Sequence, residues 1–219
     1  MPVGLHVLTG VTGLVDAVSF FGLGHVFTAN MTGNVVFLAF AVAGAPEVSV
    51  ARTLTSLGAF LIGAAAGGRL GLSMAAAGRR RWLLTVAVSE SGLLFAAAVV
   101  SIGVDVGSVP PSRLYVVIVL TALAMGLRNA TVRQLAVPDL TTTVLTLTLT
   151  ALASESSLAG GTNPRIQRRV VSVALMFLGA AIGTVLMRLG PAVPLALSGV
   201  CVLATTVAYA DASAPSPAV

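Results

Sequence analysis

Apolar stretches, most of them roughly 17–25 residues long, follow one another along nearly the whole chain, and each long one can cross the hydrocarbon of a bilayer as a helix. Hydropathy separates eight elements, over residues 3–23, 26–43, 53–77, 82–104, 113–137, 140–153, 170–189 and 191–210. The breaks fall at Gly44-Ala45-Pro46, at Gly78 before Arg79-Arg80-Arg81, at Pro110-Pro111, at Pro138-Asp139, at Gly160-Gly161-Thr162-Asn163-Pro164 and at Gly190-Pro191. Only 9% of the 219 residues are charged. A soluble domain carries about a quarter, so this chain cannot cover a water-facing surface. An all-α integral membrane protein follows, because an isolated strand leaves its backbone groups unsatisfied in lipid. A closed β-barrel would alternate apolar and polar residues over segments of about ten. The Ala-, Leu- and Val-rich runs here are continuous instead.

All twelve cationic residues are arginine, and they lie mainly at segment ends. That pattern controls topology; a nucleic-acid partner is not expected despite the net charge of +5. Cys201 is alone in an apolar run, which leaves no disulfide, zinc cluster or redox pair. His6 and His25 have no partner at metal-ligand spacing, so neither metal nor cofactor is expected. Nucleotide loops, H-E-x-x-H and G-x-S-x-G are missing, and the chain is not expected to be an enzyme.

The two halves of the chain match each other. "GLVDAVSF" from Gly13 is answered by "GLRNATVR" from Gly126, which sets Asp16 opposite Asn129. "TANMTGN" is answered by the hydroxyl-rich "TTTVLTLT", "FLIGAAAG" from Phe60 by "MFLGAAIG" from Met176, and Ser91-Gly92 by Ser198-Gly199. The order is kept and the spacing stays between about 107 and 116 residues, which argues for an internal duplication. The domain expected is one membrane unit over 1–210, with halves of about 1–105 and 112–210 and a disordered tail over 211–219.

Arginine placement then sets the topology. Arg79-Arg80-Arg81 follows the third element, and Arg165, Arg168 and Arg169 precede the seventh. Both clusters on the cytoplasmic face require an even number of crossings between them. The economical solution makes the sixth element, and by repeat the second, a short re-entrant or broken helix. About six full spans remain, three per half; the odd number inverts the second half, as in many secondary transporters. Both termini are then cytoplasmic. Polar residues concentrate in those two short elements: Thr28, Asn30, Thr32 and Asn34 in one, Thr141, Thr142, Thr143, Thr146 and Thr148 in the other. Irregular backbone at membrane depth survives only under protein cover or beside a watery cavity, so the two polar segments are expected to meet there.

The blocks "GLVDAVSFFGLGHVFTANMTGN" and "GLRNATVRQLAVPDLTTTVLTLTLTALA" resemble the YoaK family of bacterial membrane proteins. The resemblance covers nearly the whole chain and implies a multi-pass protein of a bacterial plasma membrane. It brings no activity, substrate or catalytic residue to carry over. The usual Thr-Gly-Thr of the second block is Thr146-Leu147-Thr148 here, without the glycine that would allow close backbone approach.

Ionisable residues inside spans mark the candidate chemistry, because they are costly unless paired or used. Asp16 is read as a proton or cation site, and Glu90, in "VSESGLLF", as a second coupling acid; structural hydrogen bonding is the plain alternative for both. Arg128 needs a carboxylate partner, Asp16 among them, or a bound anion. Asn30, Thr32, Asn34, Thr143 and Thr146 are expected to line a cavity, with half-helix ends adding partial charge. Gly63 with Gly67, and Gly179 with Gly183, form small-residue faces for close helix packing, within one chain or between copies of a homo-oligomer. The reading is a small carrier, proton-coupled or facilitative, of a polar or anionic solute, with the lipid bilayer and that solute as partners. The competing reading is a membrane helper or assembly protein whose polar repeats are structural.

Overall fold

The computed structural model describes residues 2–103, 111–135 and 145–212. Among them the chain forms eight α-helices and no strand: α1 Pro2–Gly22, α2 Met31–Val42, α3 Val50–Ser73, α4 Arg79–Val100, α5 Pro111–Gln134, α6 Leu145–Ser154, α7 Ile166–Leu186 and α8 Ala192–Ala212. Six of these are long and apolar enough to cross a membrane; α2 and α6 are not. At 12 residues, α2 rises only about 18 Å, against about 30 Å of hydrocarbon.

Among the boundaries that differ from the hydropathy reading, three do so for local reasons. The second element begins late, at Met31, because residues 23–30 are an irregular return segment. Arg79-Arg80-Arg81 form the first turn of α4 instead of the loop before it, since the break is Gly78, with φ 85°. Helix α8 runs on through Asp211 and Ala212, so the tail expected from residue 211 loses its first two positions, and 213–219 lie outside the described residues.

Helices α1 and α5 are the most buried spans and form the centre. Helix α7 packs along α1 and α3 along α5, while α4 and α8 pack on each other and against α5 and α1. Helix α2 lies on α3 and α6 on α7; among the described residues neither α4 nor α8 packs against a short helix. Exchanging the halves leaves this scheme unchanged. The equivalence holds at single residues: a Cβ on Gly63 would meet the carbonyl oxygen of Leu123, and one on Gly179 that of Gly10. Likewise Gly126 abuts Phe60 and Ala64, while Gly13 abuts Met176 and Ala180. The glycine faces are therefore taken up inside one chain, with Gly67 on Leu127 and Gly183 on Leu14. Any contact between copies has to use other surfaces.

Directions follow from the same contacts. Leu5 clusters with Val132, and Arg128 reaches Leu8 and Thr12, so α1 and α5 run antiparallel. Leu5, Leu83, Leu135 and Thr206 meet at one crevice. The starts of α1 and α4 thus share an end of the bundle with the finishes of α5 and α8. Helix α2 consequently does not carry the chain across.

Candidate functional site

The return segment explains why Asp16 lies where it does. Helix α1 closes with the His25 N–H donating to the Phe20 carbonyl at 3.0 Å, and the chain reverses through Gly24 (φ 83°) and His25 (φ 57°). Arg52 Nη1 donates to the Gly24 carbonyl at 3.5 Å, placing a cation at the negative end of α1. Residues 26–29 then run back along the helix until the Ala29 N–H donates to Asp16 Oδ1 at 3.1 Å, with the amides of Thr28 and Asn30 beside the same carboxylate. Asp16 lies six residues before the end of α1, about 9 Å in, and is only 6% exposed.

Asn34 fixes this return. Its Oδ1 accepts the Phe27 N–H at 2.9 Å, and its Nδ2 donates to the Phe27 carbonyl at 2.5 Å and to Ser56 Oγ at 3.2 Å. The Ser56 hydroxyl donates to that same carbonyl at 2.6 Å. Asn34 therefore serves a backbone segment that no ladder serves, and it is fully buried away from the cavities. The reading of Asn34 as a solute ligand is corrected on this ground: its hydrogen-bonding capacity is spent inside the fold. Replacing Asn34 with alanine is expected to lower thermal stability by about 1–3 kcal/mol, measured by detergent melting, and to expose residues 23–30 to proteolysis.

Asn30 caps α2, its Oδ1 accepting the Gly33 N–H at 3.3 Å. It also lines, with Thr32, both of two adjoining cavities. One, of about 460 Å³, brings Asp16 and Thr12 of α1 together with Thr146 of α6. The other, of about 800 Å³, holds Asn129, Arg133 and Gln134 of α5. The matched positions Asp16 and Asn129 thus face neighbouring cavities around the start of α2. Helix α6 also begins beside the Asp16 cavity and runs toward the start of α7, where Arg169 Nη1 donates to Glu155 Oε2 at 2.8 Å and to the Ala151 carbonyl at 3.2 Å. The expected Thr143 lies outside the described residues.

Arg128 and Glu90 are elsewhere. Arg128 Nε donates to Glu90 Oε1 at 2.5 Å, and Nη1 donates to the Leu8 carbonyl at 3.2 Å and Thr12 Oγ1 at 3.3 Å. Both residues are 2% exposed. Pairing of Arg128 with Asp16 and an open anion site at Arg128 are both corrected. Asn129 occupies the position equivalent to Asp16, and the residue before it points about 100° around the helix, toward α4. Thr12 is the link between the two regions, since its hydroxyl accepts from Arg128 and it lines the Asp16 cavity. Thr12, Phe27, Phe37 and Ser56 were not marked by the sequence; only Thr12, one turn before Asp16, offered a usable signal.

The family model described as "Protein of unknown function (DUF1275)" matches residues 4–208. The "UPF0700 transmembrane protein YoaK" of Bacillus subtilis (strain 168) is 33% identical over 156 residues, covering 70% of this chain and 66%, just under two thirds, of that protein. No solved structure matches. The chain is a multi-pass, all-α membrane protein and belongs to the DUF1275 family.

Proposed function

We propose that the chain is a small carrier, proton-coupled or facilitative, for a small polar solute, and that it has no enzymatic activity. The observation that supports this most is the meeting of Asp16 with Asn30, Thr32 and Thr146 at one cavity, beside which α2 and α6 both begin. Asp16 is the coupling group in this reading. The Arg128–Glu90 pair belongs to the architecture, because it lies behind Thr12 and takes no part in the cavity wall with Asp16. The antiparallel α1 and α5 support an inverted repeat, the plan on which rocking of one half against the other exposes a central site alternately. Eight arginines (Arg69, Arg79, Arg80, Arg81, Arg133, Arg165, Arg168, Arg169) belong to the end of the bundle where α1 starts, and three (Arg52, Arg113, Arg188) to the other. That end faces the cytoplasm of a bacterial plasma membrane, with both termini on it.

The helper reading is favoured by one observation, the use of Asn34 and Ser56 purely as internal clamps. Proteoliposomes separate the two. Proton-linked uptake from a panel of small solutes is expected in wild type and lost in Asp16→Asn. In a Cys201→Ser background, Thr32→Cys and Thr146→Cys are expected to react with membrane-impermeant thiol reagents; full protection of both would remove the hydrated path that a carrier needs. Reporter fusions after Arg81 and after Arg169 are both expected on the cytoplasmic side, and opposite sides would overturn the six-span plan.

A further inference from the structure

The solute's chemical class is readable from what the 460 Å³ cavity contains and from what has been withdrawn from it. Its size is within the roughly 300–1,000 Å³ of small-molecule sites. Asp16 is the one charged side chain among the described residues of its wall. The cation that sequence placed nearby, Arg128, is bound to Glu90. The backbone amides of the return segment just before α2, those of Thr28, Ala29 and Asn30, are turned onto Asp16, and the Gly33 amide of the first turn of α2 is taken by Asn30 Oδ1. Beside the carboxylate stands an aromatic stack. Phe27 lies between Phe20 and Phe37, with ring centroids 5.6 and 5.4 Å apart and planes inclined by 26° and 13°. Phe27 and Phe37 both line the cavity, as does Met176.

We infer that this cavity takes a small organic cation, a protonated amine with an apolar body, its ammonium facing Asp16 and its body lying against Phe27 and Phe37. The pairing follows from general chemistry. A desolvated carboxylate is best satisfied by an opposite charge that also donates hydrogen bonds, and the stack, in which Phe20 and Phe37 cover the two faces of Phe27, leaves Phe37 and the edge of Phe27 as an aromatic wall that favours a cation over an anion. Thr12, Thr32 and Thr146 supply further acceptors for the ammonium protons. A carboxylate solute would meet Asp16 with no cation among the described residues of this wall to offset it.

The inference rests on the carrier reading for its physiological meaning, but binding tests it apart from transport. Purified full-length protein in detergent is titrated calorimetrically with three probes of similar shape: 2-phenylethylamine, 2-phenylethanol and 3-phenylpropanoate. The amine is expected to bind saturably and at least about ten-fold more tightly than the alcohol, with the carboxylate weakest. Asp16→Asn is expected to bring amine and alcohol within about two-fold of each other. Phe37→Leu is expected to weaken the amine roughly two- to five-fold while keeping its lead over the alcohol. Equal binding of all three probes, preference for the carboxylate, or no saturable amine binding by folded wild type would overturn the inference. The wild-type series decides by itself if Asp16→Asn does not fold. Amine that binds but is not carried into proteoliposomes would remove the carrier reading alone. Asp16-dependent uptake of a neutral or anionic solute without amine binding would remove this inference alone.

Discussion

Arg128→Met is expected to lower the stability of the protein by about 3–5 kcal/mol, the usual cost of stranding one member of a buried ion pair. Glu90 would then be a carboxylate at 2% exposure, on a helix face packed between α5 and α8. Removing the acid is expected to be as damaging, because Arg128 would keep only the Leu8 carbonyl and the Thr12 hydroxyl. The informative variant is the double one. Glu90→Leu with Arg128→Met replaces the pair by apolar groups of similar length, and such replacements are often neutral or stabilising. The matching α1–α8 contact already uses this solution, since the positions equivalent to Arg128 and Glu90 are Val15 and Leu197. Denaturant titration in detergent micelles is therefore expected to find both single variants far below wild type and the double variant close to it. Strict additivity of the two losses would show that the groups do not act as a pair.

Gly179→Ala and Gly63→Ala form the second large effect, and the two are expected to be alike. A Cβ on Gly179 would enter the carbonyl of Gly10, and one on Gly63 the carbonyl of Leu123. Backbone cannot move aside as a flexible side chain can, so the neighbouring helix has to shift along its length. Overpacking of this kind costs roughly 1–3 kcal/mol for a single methyl, and leucine at either position is expected to prevent folding. Gly92, which has nothing within 4 Å of its Cβ direction, provides the control, and Gly92→Ala is expected to be silent. Thermal melting of the three variants by loss of monodisperse protein checks the set. A large difference between Gly63→Ala and Gly179→Ala would contradict the residue-level equivalence of the α3–α5 and α1–α7 contacts.

How much of this was legible in the sequence depends on the range of the interaction involved. The spans were legible because burial in lipid imposes a long apolar run, and the like packing of α3 on α5 and of α7 on α1 because the glycine pattern recurs in both halves. The shortness of α2 and α6 was legible from charge placement, a constraint acting on the whole chain. The partner of Arg128 was not. Choosing between Asp16 and Glu90 needs the rotation of α5 about its axis, and a difference of one residue, Arg128 against Asn129, turns the side chain by about 100°. Asn34 was misread for another reason. A buried amide that serves an irregular backbone and one that lines a cavity have the same local sequence, and only the path of residues 23–30 separates them.

The packing also bears on how such a chain can be made. Nearly every extensive contact joins a helix of one half to a helix of the other: α1 to α7 and α8, α3 to α5, α4 to α5 and α8. The ribosome delivers the halves in sequence. Until α5 emerges, Glu90 has no counter-charge and the Gly63 face has no groove to close on. The first three spans are therefore held by the bilayer and the translocation machinery, not by each other. Assembly by these contacts is committed only once the second half has emerged, and a chain truncated before α5 is expected to be degraded faster than the full-length protein.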